Sequence, residues 1–192
     1  MGGVSKYLLP VLLCSGLAAP ALAQEGFVLS SPALIDKAAL PADLKCARDD
    51  GDGASPPLVW SGVPDGTKSL ALIMHHYPQG TSEGVNAPSQ YWLVWNIPAT
   101  TRALPRGNPA SIGDEGSDKD GKRTGYTPPC SPHPWWSLSQ EPLKAYIITL
   151  YALNGPLALP DHDDGGVDWT AMTQALQGKV IEIGRASCRE RV

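Results

Sequence analysis

The apolar residues of this chain fall in short runs, at 27–34, 44–46, 58–60, 69–74, 91–97 and 146–153, with clusters of Pro, Gly, Asp and Ser between them. Runs of that length bounded by turn formers are the mark of strands, because a helix needs a longer apolar stripe that repeats every three to four positions. Ser61-Gly62-Val63-Pro64-Asp65-Gly66-Thr67 is dense in residues that set turn dihedrals, and it must reverse the chain between the third and fourth runs. The run at 91–97 is aromatic and β-branched, and Pro98 closes it because proline cannot donate to a central ladder. One late segment has a different period. Residues 167–179 place Trp169, Met172 and Leu176 at helical spacing, with Val180 continuing the row, and predict an amphipathic helix laid on the strands. Between Ala103 and Lys122 the chain is polar and glycine-rich without a period, which predicts a long surface loop. The whole pattern predicts a mainly β fold, an antiparallel β-sandwich with a few peripheral short helices.

The two ends depart from this pattern. Lys6 precedes an apolar run at 7–19, and Ala21-Leu22-Ala23 then presents small residues at the positions a signal peptidase reads, so 1–23 is expected to be a signal peptide cleaved before Gln24. The run is short of the ~20 residues that span a bilayer, and Pro10 and Pro20 interrupt and end it, so no stable membrane anchor is expected. Cys14 is a poor lipidation site because bulky Leu13 precedes it. At Ile183 the composition switches to a basic, patternless decapeptide that resembles translated read-through of a sequencing adaptor. Residues 183–192 are therefore expected to be a non-native tail that packs poorly, which leaves one domain at 24–182, about 160 residues and enough to bury a sizeable core. The full chain has a net charge of −4. Both excised ends are basic on balance, so the mature domain is more acidic still, which excludes nucleic acid as a partner. Export places the protein in the periplasm or outside the cell.

Five blocks in order, SPPLVW (55–60), GVPDGTKSLAL (62–72), YWLVWNIPA (91–99), GYTPPCSP (125–132) and YIITLYAL (146–153), resemble the phosphatidylethanolamine-binding protein family, in particular its bacterial Raf-kinase-inhibitor-like branch. The resemblance implies the same β-sandwich, and a pocket in which an Asp-Pro-Asp sequence and two histidines surround an anionic head group. The framework blocks match here and the polar tips do not. Alignment puts His76 at the first acid, Pro78 at the second, Tyr91 at the first histidine and Lys144 at the second. Cys46 and Cys130, the two cysteines left after both ends are removed, are expected to pair, on the strength of export and of relatives that carry cysteines at the equivalent blocks.

Strand parity bears on which of these side chains converge. Side chains alternate faces, so His76 goes with Met74 and Leu72, and His75 with Ile73 and Ala71. By the same rule Tyr91 goes with Leu93 and Trp95, and Lys144 with Tyr146 and Ile148. A site of His76, Tyr91 and Lys144, rimmed by Pro129 and Ser131, offers an imidazole, a phenol and an ammonium, all donors to a phosphate or carboxylate. The plain alternative is that the histidines merely end a strand and Lys144 is solvated. A hydrolase or metal-dependent enzyme using His76 and Tyr91 is a second functional reading. Against it, there is no Gly-x-Ser-x-Gly elbow, and His75-His76 lacks ligand spacing to His133 or His162, so neither a metal nor a cofactor is called for. The acidic stretch 49–53 lacks the first and last ligands of a calcium loop and reads as a turn. Trp135-Trp136, flanked by prolines, forms either a lid packed on the sandwich or an exposed contact for lipid, glycan or a protein partner, the last making the chain an inhibitory interaction module.

Overall fold

The structure is a computed structural model that describes residues 2, 26–78, 80–130 and 144–190. Two antiparallel sheets face each other. The larger has five strands in the order β6 (Asp114–Glu115), β4 (Ser89–Pro98), β3 (Ser69–His76), β7 (Lys144–Leu153) and β8 (Val180–Glu190). The smaller has three, in the order β1 (Val28–Ser30), β2 (Leu58–Ser61) and β5 (Ala103–Leu104). This is the predicted antiparallel sandwich.

Every residue of β3 is buried, because both faces of the large sheet are covered. Leu70, Leu72 and Met74, with Trp92, Val94 and Ile97 of β4 and Ile148 and Leu150 of β7, pack toward the small sheet against Leu29, Leu58, Trp60 and Leu104. Ala71, Ile73, Leu93 and Trp95 point the other way, under helix α1 (Trp169–Leu176) and its approach, where Met172, Leu176, Leu157 and Val167 cover them. The continuous apolar run of β3 is thus two alternating sets on two faces, each with its own cover. The helix starts where Asp168 accepts a hydrogen bond from the backbone N–H of Ala171 at 2.9 Å, which satisfies one of the donors left over at a helix start.

Several expectations are corrected. Residues 44–46 are not a strand: they lie at two single 3₁₀ turns, Ala42–Leu44 and Ala47–Asp49, where Leu44 reaches the core while the backbone turns. The first run contributes only Val28–Ser30 as a strand. The loop expected between Ala103 and Lys122 contains β5 and β6, both two residues long and too short to show a period. Val180 belongs to β8 and not to the helix, which Gln177 and Gly178 (φ 70°) end.

The expectation that 183–192 packs poorly is also overturned for the described part. β8 pairs with β7 from Val180 opposite Leu153 to Glu190 opposite Lys144, and Ala186 and Cys188 are buried in the core. The ladder uses backbone groups, which every sequence carries, and the inward positions Gly184, Ala186 and Cys188 are small enough to fit without clash. An edge position asks no more of a segment than that. The compositional break at Ile183 stands as a property of the sequence. Of the expected signal segment, all but Gly2 lies outside the described residues before position 24, and among the described residues no helix is long and apolar enough to cross a membrane.

Candidate functional site

At one end of the large sheet three rings close on each other. The His76 imidazole stacks on Tyr146 with centroids 5.3 Å apart and 20° between planes. Tyr91 stands edge-on to both, at 5.7 Å from His76 and 5.0 Å from Tyr146. All three are buried, and their rings lie on the face that carries Leu72 and Met74.

Parity alone does not bring Tyr91 there. Met74 is opposite Trp92 while His75 is opposite Gln90, so Tyr91 is an extra residue in β4, a bulge that turns its ring to the same face as Trp92. Tyr91 therefore does not share a face with Leu93 and Trp95, which point toward α1. A second bulge lies further along, between the pairs Leu70–Ile97 and Leu72–Val94, where Asn96 takes a left-handed φ of 53° and its amide donates to Asp114 Oδ2 at 2.7 Å. The parities of His76 and Lys144 hold. Residue 147 of β7 is opposite His75, so Tyr146 lies across from His76, and Lys144 lies one pleat beyond Tyr146 on the same face, half-buried at the start of the strand.

The predicted rim is held by backbone. Thr127 N–H donates to the Tyr91 carbonyl at 2.7 Å, and the Thr127 hydroxyl accepts from the N–H of Lys119 at 2.9 Å. Two residues on, Pro129 is buried and its carbonyl accepts from Cys46 N–H at 2.9 Å. Cys130 is joined to Cys46 in a disulfide with Cα atoms 5.2 Å apart, across a sequence separation of 84. Ser131, Trp135 and Trp136 lie outside the described residues.

Two participants were missed in the sequence. Tyr146 supplies the stacking partner of His76, and the signal was its place two positions from Lys144 on one face of β7. Lys119 is the other. Its bond to Asp120 (Nζ to Oδ1, 2.7 Å) is the largest cause holding its pKa above the ordinary lysine value, and a smaller contribution comes from Tyr91, which stands within electrostatic range. Nothing in the loop's composition separates Lys119 from its neighbours Lys122 and Arg123. Among the described residues the grouping of metal-ligand types is Cys46, Asp49 and Cys130, whose sulfurs are spent on the disulfide. In the acidic turn, Asp52 accepts from Ala54 N–H at 2.8 Å and pairs with Arg106 at 2.8 Å, so its oxygens have protein partners.

Back to back with His76, His75 points toward α1. Its ring lies 5.0 Å from that of Trp169 and 5.5 Å from that of Tyr77. Burial, with smaller contributions from Arg185 and His76, lowers its pKa from 6.5 to about 4, so the imidazole is neutral at physiological pH.

Comparison with known proteins agrees with this architecture. The sequence signature described as "Phosphatidylethanolamine-binding protein" matches residues 30–188. A UPF0098 protein of Methanothermobacter thermautotrophicus is 31% identical over 160 residues, covering 80% of this chain and 91% of the relative. The UPF0098 protein YbhB of Escherichia coli is 33% identical over 110 residues, covering 55% and 63%. Among solved structures, a phosphatidylethanolamine-binding protein homolog of Chlamydia trachomatis superposes with a TM-score of 0.70 at 27% identity, covering 87% of this chain and 98% of that one. The Escherichia coli protein YbcL has the same fold, with a TM-score of 0.70 at 22% identity over 88% and 99% of the two chains.

Proposed function

Because the chain belongs to the phosphatidylethanolamine-binding protein family, we propose that it is an exported member that binds a small anionic ligand, bearing phosphate or carboxylate, at the His76–Tyr91–Tyr146 end of the large sheet. The observation that carries this reading is the closed triangle of rings with Lys144 one pleat beyond on the same face. Two phenols and an imidazole supply hydrogen-bond donors that the packing holds in place, and Lys144 supplies a fixed positive charge. Where the family resemblance leads one to expect two acids, this chain has His76 and Pro78, and the loss of that negative charge favours an anion. Export is supported by the Ala21-Leu22-Ala23 processing site and by the Cys46–Cys130 disulfide, a bond that persists in oxidising compartments.

Calorimetric titration of the mature protein with inorganic phosphate, and separately with acetate, tests the reading. Binding of at least one is expected, with about a tenfold or greater loss in Lys144→Ala and an unchanged unfolding midpoint. Equal affinity in the wild type and Lys144→Ala would remove Lys144 from the site.

A further inference from the structure

We propose a second binding site on the opposite face of the large sheet, for a neutral saccharide, in the open cleft between Tyr77, the 84–87 turn and helix α1. The cleft has a volume of about 450 Å³ and is lined by Tyr77, Val85, Asn86, Trp169, Thr173 and Gln174, among others. That volume is in the range of small-molecule sites.

The platform of this cleft is aromatic and fixed. Tyr77 and Trp169 both rest on the His75 ring, at 5.5 and 5.0 Å. The N–H of Trp169 donates to Gln90 Oε1 at 2.6 Å, which pins the first residue of α1 to β4. Opposite it, the 82–86 turn is cross-linked within itself: Asn86 N–H donates to the Ser82 carbonyl at 3.0 Å, and Asn86 Oδ1 accepts from Ser82 N–H at 3.1 Å. The NH₂ of Asn86 is the end of that side chain which the turn does not use. The Thr173 hydroxyl donates to the Trp169 carbonyl at 2.8 Å, and its lone pairs are left to accept. Gln174 is exposed and carries both a donor and an acceptor.

The lining selects the ligand class. Among the described residues that line the cleft there is no Asp, Glu, Lys, Arg or His, so a phosphate or carboxylate would leave water with no countercharge. Beneath the cleft, His75 is neutral, and burial, with Glu83 as a second cause, holds the Tyr77 phenol above its ordinary pKa and hence protonated. A purely apolar ligand would instead cover the amides and hydroxyl of Asn86, Gln174 and Thr173 without partners. A pyranose meets both demands, with C–H groups for the ring faces of Trp169 and Tyr77 and hydroxyls that both donate and accept. Neighbouring residues of a strand point to opposite faces, so this site on the His75 side is separate from the anion site on the His76 side.

The test is an ¹⁵N–¹H NMR titration of the mature protein with maltose, cellobiose and N,N′-diacetylchitobiose, each compared with its own monosaccharide to distinguish a free sugar from a chain end. At least one disaccharide should shift the Trp169 indole and the Gly84–Ala87 amides at millimolar concentration. Trp169→Ala should weaken it by about tenfold or more, and exposed Gln174→Ala by a few-fold with no change in folding. Neither variant should alter phosphate binding. The proposal is overturned if no sugar shifts these signals, if the shifts persist undiminished in both variants, or if they map to His76 and Tyr91.

Discussion

The Tyr91 ring stands edge-on to the His76 imidazole, centroids 5.7 Å apart, although strict alternation along β4 would place the two on opposite faces of the sheet. One extra residue in the ladder makes the difference. Bulges re-aim a side chain at little cost in pairing, and here the re-aimed residue completes a three-ring cluster.

That cluster is also core. Tyr146 is 1% exposed, so Tyr146→Ala should lower the unfolding free energy by about 3 to 5 kcal/mol, as expected for loss of a buried aromatic side chain. Tyr146→Phe keeps the ring and should cost less than about 1.5 kcal/mol. Urea denaturation separates the two. Similar losses in both variants would mean that the hydroxyl, and not the ring, matters.

The disulfide closes a loop with a sequence separation of 84 and ties the Pro129 region to the 3₁₀ turns. Replacing both cysteines by serine should cost about 2 to 5 kcal/mol. It should also weaken phosphate binding if the rim positions the anion site. Thermal unfolding with and without reductant gives the stability change without mutation.

His75 makes folding pH-dependent. Its pKa is about 4 when folded and 6.5 when unfolded, so between these values the unfolded chain binds the extra proton. Stability from this group is therefore complete above pH 6.5 and falls as pH drops toward 4, by on the order of 3 kcal/mol at most. In His75→Gln that part of the slope between pH 6.5 and 4 should vanish. An unchanged slope would show that other groups carry the acid sensitivity.

The eight-residue helix α1 depends on its cap. Asp168→Ala removes the bond to Ala171 N–H and should cost about 1 kcal/mol, whereas Asp168→Asn, which keeps a side-chain acceptor, should cost much less. Hydrogen exchange at Ala171 and Met172 would report the fraying directly.

Asn96 offers a test of the other bulge. Its φ of 53° suits Asn or Gly, so Asn96→Val should destabilise by about 1 to 2 kcal/mol from backbone strain, added to the lost bond to Asp114. Asn96→Gly should lose only the bond. Chemical denaturation of both variants distinguishes strain from hydrogen bonding.

The apolar runs at 58–60, 69–74, 91–97 and 146–153 determined strands β2, β3, β4 and β7 by themselves, because burial of alternate side chains and the turn residues between them leave few other conformations. The period of Trp169, Met172 and Leu176 likewise determined α1, and the block order determined the family. The two-residue strands β5 and β6 and the edge strand β8 were decided by the tertiary structure. Each forms because a neighbour offers an unpaired ladder edge, and nothing in their own side chains calls for extension. The site divides in the same way. His76 and Lys144 sit on their predicted face, since unbroken strands keep parity. Tyr91 reaches that face only through a bulge, which depends on how β3 and β4 pair along their length and is invisible in either strand alone. Tyr146 and Lys119 join by cross-strand and loop contacts between residues distant in sequence, and such contacts exist only once the chain has folded.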